Sequence, residues 1–221
     1  MHSSDSKRGR RHAWLWVMGL LVPVGIFALL AHYRLGKEPG LIELAAMDSV
    51  HAWSGPCMDA AIVWVSHLGY SHGVVPFDIL FVAALLLRRQ WREGLFALVA
   101  LGGSLWLNGV LKAAFAEPRP DLWEPLWRYS GYSFPSGHAM GSMTLAWVVV
   151  LLAWRTRWRM PVLLAALAFA VLVGLSRVYL GVHYPSDILA GWAAASTWTV
   201  GAFLLVFHGR RPWQPGKDAV P

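Results

Sequence analysis

Long apolar runs alternate with short polar ones along most of the chain. Six runs are candidates to cross a bilayer: about Trp14–Ala31, Val74–Leu87, Leu95–Phe115, Ala139–Trp154, Pro161–Leu180 and Ile188–Phe207. A spanning helix needs roughly 20 mostly apolar residues; the second run is short, and its boundary is the least defined. The pattern predicts an all-α, polytopic membrane protein with six transmembrane helices in a single domain covering residues 1–221. The linkers fall into two kinds. "RRQWRE" and "RTRWR" are short and basic, whereas Tyr33 to about Gly73 and Glu117 to Gly137 are longer and more polar. Within the first long stretch, "GLIELAAMDSVHAW" is mildly amphipathic, as expected of a segment lying on a membrane surface. No internal repeat or low-complexity tract interrupts this organisation.

Composition agrees with the membrane reading. Hydrophobic residues make up 57% of the 221, charged residues only 14%, and the mean hydropathy is +0.47. An ordinary soluble domain of this size is less apolar. The net charge of +7 raises the question of nucleic acid, and its distribution answers it. With the N-terminus inside, Lys7, Arg8, Arg10, Arg11, Arg88, Arg89, Arg92, Arg155, Arg157, Arg159, Arg210, Arg211 and Lys217 fall on the inner face against Asp5, Glu93 and Asp218 alone. The outer face carries six bases and nine acids. This is the positive-inside pattern, and it predicts cytoplasmic tails at 1–13 and 208–221. The basic surplus reads as a topology signal and an anionic-lipid contact rather than a nucleic-acid footprint.

The lone Cys57 excludes an intramolecular disulfide and a multi-cysteine metal site. "KRGRRH" before an apolar run resembles a signal peptide, but the run is long and no clear A-x-A site follows, so an uncleaved first span is expected. Several of the fourteen Trp residues (Trp14, Trp91, Trp154, Trp158, Trp213) fall near span ends, where an interfacial belt accounts for them.

Outer-face bases are few. Arg34 and Lys37 follow the first span, and Arg128 lies mid-loop. Lys112 lies near the outer end of the third span, in "LNGVLKAAFAEPRP" with Arg119; Arg177 lies near the outer end of the fifth, in "GLSRVYLGVHYPSD". Charge at membrane depth is expensive and usually functional or paired, although a lone Lys near a helix end also fits simple snorkelling. "PSGH", Pro135 to His138, opens the fourth span. A helix N-terminus offers unpaired N–H groups and the positive dipole end to an anion. Ser136 suits the cap, and Gly137 permits close approach of a ligand to the backbone. A plain capped helix with a solvated His138 fits the same four residues. In the last motif, Pro185 suits the first turn of the sixth span, which puts Asp187 just inside that helix and within reach of a ring nitrogen of His183. The bland counterpart is an acid that complements the helix dipole. Topology brings all three motifs to one membrane face. Three cations, two imidazoles, a carboxylate and a helix N-terminus suit a dianionic phosphate, and the scattered carboxylates do not resemble a hard-metal cage.

Together the segments read K-x6-R-P (Lys112, Arg119, Pro120), P-S-G-H (Pro135 to His138) and S-R-x5-H-x3-D (Ser176, Arg177, His183, Asp187). This set resembles the type 2 phosphatidic acid phosphatase superfamily, matching every signature position in order. The resemblance implies a single membrane-embedded phosphatase domain that hydrolyses a membrane lipid phosphate without metal or cofactor. His183 would be the nucleophile that forms a phosphohistidine, Asp187 its orienting carboxylate, and His138 the acid for the leaving oxygen and then the base for water. Lys112, Arg119, Arg177, Ser136 and the Gly137 N–H would hold the phosphoryl oxygens. It further implies a bacterial inner-membrane enzyme with a periplasmic or extracellular site and no obligatory protein partner. By analogy with small bacterial members, undecaprenyl pyrophosphate ranks first as substrate, ahead of phosphatidylglycerophosphate, phosphatidic acid and lipid A phosphate; the family does not fix the substrate.

Lipid phosphotransfer through the same intermediate is the chemical rival, and vanadium haloperoxidases, generally soluble, share the site type. A lipid transporter or scaffold is the non-enzymatic rival, but transporter sites sit near the midplane. Asn108, one helical turn before Lys112, is expected to support it from behind. Asp78 is expected at the interface rather than facing the bundle. Glu117 and Asp121 flank Arg119, either orienting it or solvating the loop. His32, His51, His67 and His72 lack ligand spacing and read as surface histidines. Trp123, Trp127, Tyr132 and Phe134 suit a lipid-contacting lip or plain interfacial anchoring.

Overall fold

The structure, a computed structural model, describes residues 17–35, 38–124 and 130–207. The basic tail at 1–13, Trp14, Lys37, Trp127, Arg128 and the tail at 208–221 lie outside the described residues. Among those described there are eight α-helices and no strand. They are α1 (Val22–Arg34, preceded by a π-helical turn Val17–Leu21), α2 (Leu41–His51), α3 (Pro56–Leu68), α4 (Val74–Leu87), α5 (Trp91–Phe115), α6 (Gly137–Ala153), α7 (Arg159–Tyr179) and α8 (Pro185–Phe207).

Among the described residues, four helical segments are long and apolar enough to cross a membrane: Val17–Arg34, Trp91–Phe115, Arg159–Tyr179 and Pro185–Phe207. Helices α4 and α6 are apolar but shorter, at 14 and 17 residues. The long polar stretch after α1 departs from the sequence expectation. Besides the amphipathic α2, it folds a second helix, α3, which packs against α7. Its Pro56 starts that helix, as a residue without an N–H can at the first turn.

Helix α8 is the centre of the bundle, contacting α1, α5 and α6. Of its apolar window 61% is buried, against 11% for the first span. Small residues make this possible. A side chain at Gly191 would meet the Ser136 carbonyl oxygen at 2.9 Å, so the backbones of α8 and the start of α6 approach closely there. Aromatic packing closes the opposite end, with Phe96 edge-on to Phe203 at 5.5 Å. Polar side chains inside the bundle pair with each other: Ser104 with Thr144 at 2.8 Å, Trp147 with Ser196 at 2.8 Å. Outward-facing Leu29, Leu80, Leu164 and Leu205 are exposed, as lipid contact requires. Trp91, Trp154 and Trp158 are exposed at the ends of α5, α6 and α7, in keeping with an interfacial belt.

Candidate active site

Four helix ends meet at one end of the bundle: the C-termini of α5 and α7, and the N-termini of α6 and α8. Each ends there for a local reason. Helix α5 stops at Ala116, a left-handed cap whose N–H donates to the Lys112 carbonyl. Helix α6 starts after the N-cap Ser136, whose hydroxyl accepts from the Ala139 N–H at 3.5 Å. Helix α8 starts at Pro185, and the Asp187 carbonyl accepts from the Ser136 N–H at 3.1 Å, tying the two N-termini together. A cavity of about 620 Å³ opens at this junction, and Lys112, Arg119, Gly137, His138, Arg177 and His183 all line it. Six of the eight expected site residues therefore share one cavity. Ser136 and Asp187 stand behind it, fully buried.

His183 is nearly fully buried, and its two ring nitrogens have opposite surroundings. Nε2 lies 3.1 Å from Arg119 Nη1. A guanidinium only donates, so Nε2 is the acceptor and the ring proton sits on Nδ1. Nδ1 faces Asp187 Oδ2 and Ser133 Oγ, each at 3.2 Å. Asp187 Oδ2 also accepts from the Tyr184 N–H at 3.0 Å and from the Ser133 hydroxyl at 2.5 Å. Burial holds the imidazole well below 6.5, and the charges of Arg177, Arg119 and Lys112 push the same way. The ring is thus neutral at pH 7, with a lone pair aimed at the cation cluster.

The cations are fixed by backbone carbonyls. Lys112 Nζ donates to the Tyr132 carbonyl and, at 3.1 Å, to that of Ser133. Arg119 donates to Gly131 at 3.0 Å and Val182 at 2.9 Å. Arg177, completely buried, donates to Ser66 Oγ of α3. The buried placement of Arg177 and the carbonyl ties of Lys112 leave little to the snorkelling alternative. Asn108 Nδ2 donates to the Pro135 carbonyl at 3.2 Å, so it steadies the Pro-Ser-Gly-His turn as well as lining the cavity. A side chain at Gly137 would come within 2.9 Å of Asn108 Oδ1, so the turn and Asn108 are closely packed. The His138 ring stacks on Tyr70 at 4.9 Å.

Several participants escaped the sequence reading. Ser133 bridges the His183–Asp187 pair, and its N–H donates to the Glu117 carbonyl at 2.8 Å. Glu117 in turn accepts from Arg34. Arg34, 1% exposed, sits between Glu117 and Glu43 and lies 4.3 Å over the Tyr184 ring. Glu43 Oε1 accepts from the Ser186 N–H at 3.0 Å, capping α8. One buried guanidinium thus clasps α1, α2, the Arg119 loop and the start of α8. Removing one member of so buried a cluster costs about 3–5 kcal/mol, because uncompensated charge stays behind. Of the histidines read as surface residues, His32 and His72 are exposed as expected, although His72 also lines the chamber. His51 instead stacks on Trp123 at 4.0 Å, and His67, half-buried, lines the chamber too.

Next to this polar chamber is an apolar groove of about 420 Å³ between α4, α5 and α6. The two share Tyr70, Leu105, Asn108 and Gly137 as common walls. Asp78 faces this groove rather than the interface, with Oδ1 buried and without a hydrogen-bond partner.

A cationic chamber joined to an apolar groove, in a bundle clothed in exposed leucines, suits a membrane protein that takes an amphiphilic anion. The chain belongs to the PAP2 superfamily, whose family model matches residues 93–211. It is 35% identical over 143 residues to phosphatidylglycerophosphatase B of Bacillus subtilis (strain 168), covering 62% of this chain and 70% of that one. It is 28% identical over 196 residues to an undecaprenyl-diphosphatase of Sulfolobus acidocaldarius, covering 84% and 88%. Its fold is similar to the crystal structure of a transmembrane PAP2-type phosphatidylglycerolphosphate phosphatase from Bacillus subtilis, with a TM-score of 0.69 and 30% identity, covering 82% and 94%.

Proposed function

We propose that the protein hydrolyses a lipid diphosphate or phosphomonoester on the outer leaflet of the cell membrane, without metal, through a phosphohistidine. The observation that carries this reading is the contact between chamber and groove: a phosphate among Lys112, Arg119 and Arg177, and a hydrocarbon chain between α4, α5 and α6, fit one amphiphile. His183 Nε2 attacks phosphorus, forming an N–P bond as the P–O bond to the lipid breaks. Protonated His138 gives its proton to the leaving oxygen. In the second step His138 takes a proton from water, the water oxygen bonds to phosphorus, and the N–P bond breaks. Arg119 releases His183 Nε2 as its N–H groups turn to the phosphoryl oxygens, where the Gly137 N–H and the α6 dipole also act. Asp187, assisted by Ser133, keeps the proton on Nδ1 and stabilises the imidazolium that bonding at Nε2 creates.

Undecaprenyl diphosphate is the first candidate substrate, supported by the name of the Sulfolobus relative. Phosphatidylglycerophosphate is the second, supported by that of the Bacillus relative. The test is phosphate release by the purified protein in detergent with EDTA present. We expect release from both lipids, undiminished by the chelator. A strict divalent-metal requirement, or no release from either lipid, would refute the reading.

The orientation follows from the positive-inside bias, with six spans formed by adding α4 and α6 to the four long helical segments, one domain over 1–221, and both tails cytoplasmic. Cys57, the single cysteine, is exposed in the first turn of α3. Two residues on, Asp59 accepts from the Tyr179 hydroxyl at 2.5 Å, at the site end of α7. A membrane-impermeant maleimide added to intact bacterial spheroplasts is expected to label Cys57. Labelling only after permeabilisation would place the site on the cytoplasmic face.

A further inference from the structure

The segment from Ser66 to His72, the last turn of α3 and the start of its link to α4, is fastened to the chamber at two points. Ser66 Oγ accepts from Arg177, and Tyr70 stacks on the His138 ring with 26° between planes. Its own backbone closes it into a tight turn: the His72 N–H donates to the His67 carbonyl at 3.3 Å, and the Val75 N–H to that of Tyr70 at 2.9 Å. Held this way, His67 and His72 line the chamber on either side of Tyr70 in sequence. Their rings lie 5.3 Å apart with 34° between planes. The hydroxyl of Ser71 bonds His72 Nδ1 at 2.9 Å and leaves Nε2 as the ring atom available to a ligand.

We propose that His67 and His72 form a second anion subsite, which holds the lipid-linked phosphate of a diphosphate substrate. The inference rests on the phosphatase reading above, in which His138 protonates the leaving oxygen. That assignment fixes a direction. The scissile phosphoryl group lies among Lys112, Arg119 and Arg177, and its leaving group departs past His138. Tyr70 covers one face of His138, so whatever is bonded to the leaving oxygen next meets the turn that carries His67 and His72. With the three cations given to the scissile group and Asn108 Nδ2 given to Pro135, these two imidazoles are the nitrogen donors of the described cavity lining that the mechanism leaves unassigned.

The chemistry of the leaving group then sets specificity. Attack by His183 on the terminal phosphorus of a diphosphate breaks the bond to the bridging oxygen. Both electrons of that bond go to the lipid monophosphate, which receives the His138 proton and keeps negative charge on its other oxygens. Imidazole N–H donors placed there strengthen as that charge develops. When the substrate is an ester such as phosphatidic acid, the leaving atom is a glycerol oxygen. Its charge is removed by the His138 proton, and no second phosphate is there to be held. The subsite therefore favours diphosphates over monoesters in the transition state.

The test compares the wild type with His72→Ala and the double variant His67→Ala/His72→Ala on undecaprenyl diphosphate and on phosphatidic acid, in one detergent with EDTA. The ratio of kcat/KM for diphosphate to that for monoester is expected to fall by about tenfold to a hundredfold in the double variant, the scale of lost hydrogen bonds to a charged group. His72→Ala alone, at an exposed position, is expected to give part of that fall. The double variant His67→Gln/His72→Gln, which keeps an N–H donor at each position, should restore part of the ratio. Equal loss on both lipids, an unchanged ratio, or a wild type that cleaves only the monoester would overturn the subsite and leave the phosphatase reading standing. No phosphate from either lipid with the wild type would overturn both.

Discussion

Replacing His183 with alanine is expected to abolish turnover, lowering kcat on the order of 10⁴-fold or more. The reason is geometric. In the proposed mechanism Nε2 is the nucleophilic atom in a chamber lined by Lys112, Arg119 and Arg177, and its lone pair is kept there because Nδ1 holds the proton against Asp187 and Ser133. Alanine removes the atom that bonds to phosphorus while leaving the phosphate site intact. Water attacking directly would have only the electrostatic help of Lys112, Arg119 and Arg177, which accounts for the small residual rate expected. Brief incubation with lipid labelled in its scissile phosphate should mark the wild-type protein covalently and leave the variant unmarked. Undiminished turnover by His183→Ala would reject the mechanism outright.

The second large effect is at His138, and it should depend on what is leaving. General acid catalysis contributes roughly 10²–10⁴-fold, and its share grows with the basicity of the leaving group. A lipid phosphomonoester expels an alkoxide, so His138→Ala should lose most of that factor on phosphatidic acid. An aryl phosphate such as p-nitrophenyl phosphate expels a weak base that needs no proton. With it the first step should survive, while water activation in the second step fails. The expected record is a burst of nitrophenol of about one equivalent per enzyme, followed by slow release. Loss of the burst together with the steady rate would show that His138 acts otherwise, for example by shaping the chamber through its stack on Tyr70.

The sequence separations in the site explain which parts of it could be read in advance. Asp187 lies four residues after His183, across one turn entering a helix, so spacing alone foretold their contact at 3.2 Å. Ser136 as an N-cap and Pro185 as a helix start are equally local; Asn108, expected to support Lys112, instead bonds Pro135 across 27 positions. Nothing comparable announced Ser133, because a serine in a polar loop carries no period. Its bonds to His183 and Asp187 span 50 and 54 positions. Ser66 reaches Arg177 across 111 positions, and Arg34 reaches Glu117 across 83. Helix α3 was hidden for a related reason: its run begins and ends in a stretch of mixed polarity, and its packing against α7 selects the helix.

Helix type, the order of the three motifs and the bias of basic linkers follow from residues close in the chain, since hydrophobic period, capping chemistry and flanking charge are all local signals. Which groups stand behind those motifs was decided by tertiary packing alone. The clasp of Arg34 on Glu43 and Glu117, Asp78 turned into the apolar groove, and His67 and His72 drawn into the chamber each depend on where distant helices cross. Burial and partner choice at such positions are properties of the packed bundle, and no window of consecutive residues encodes them.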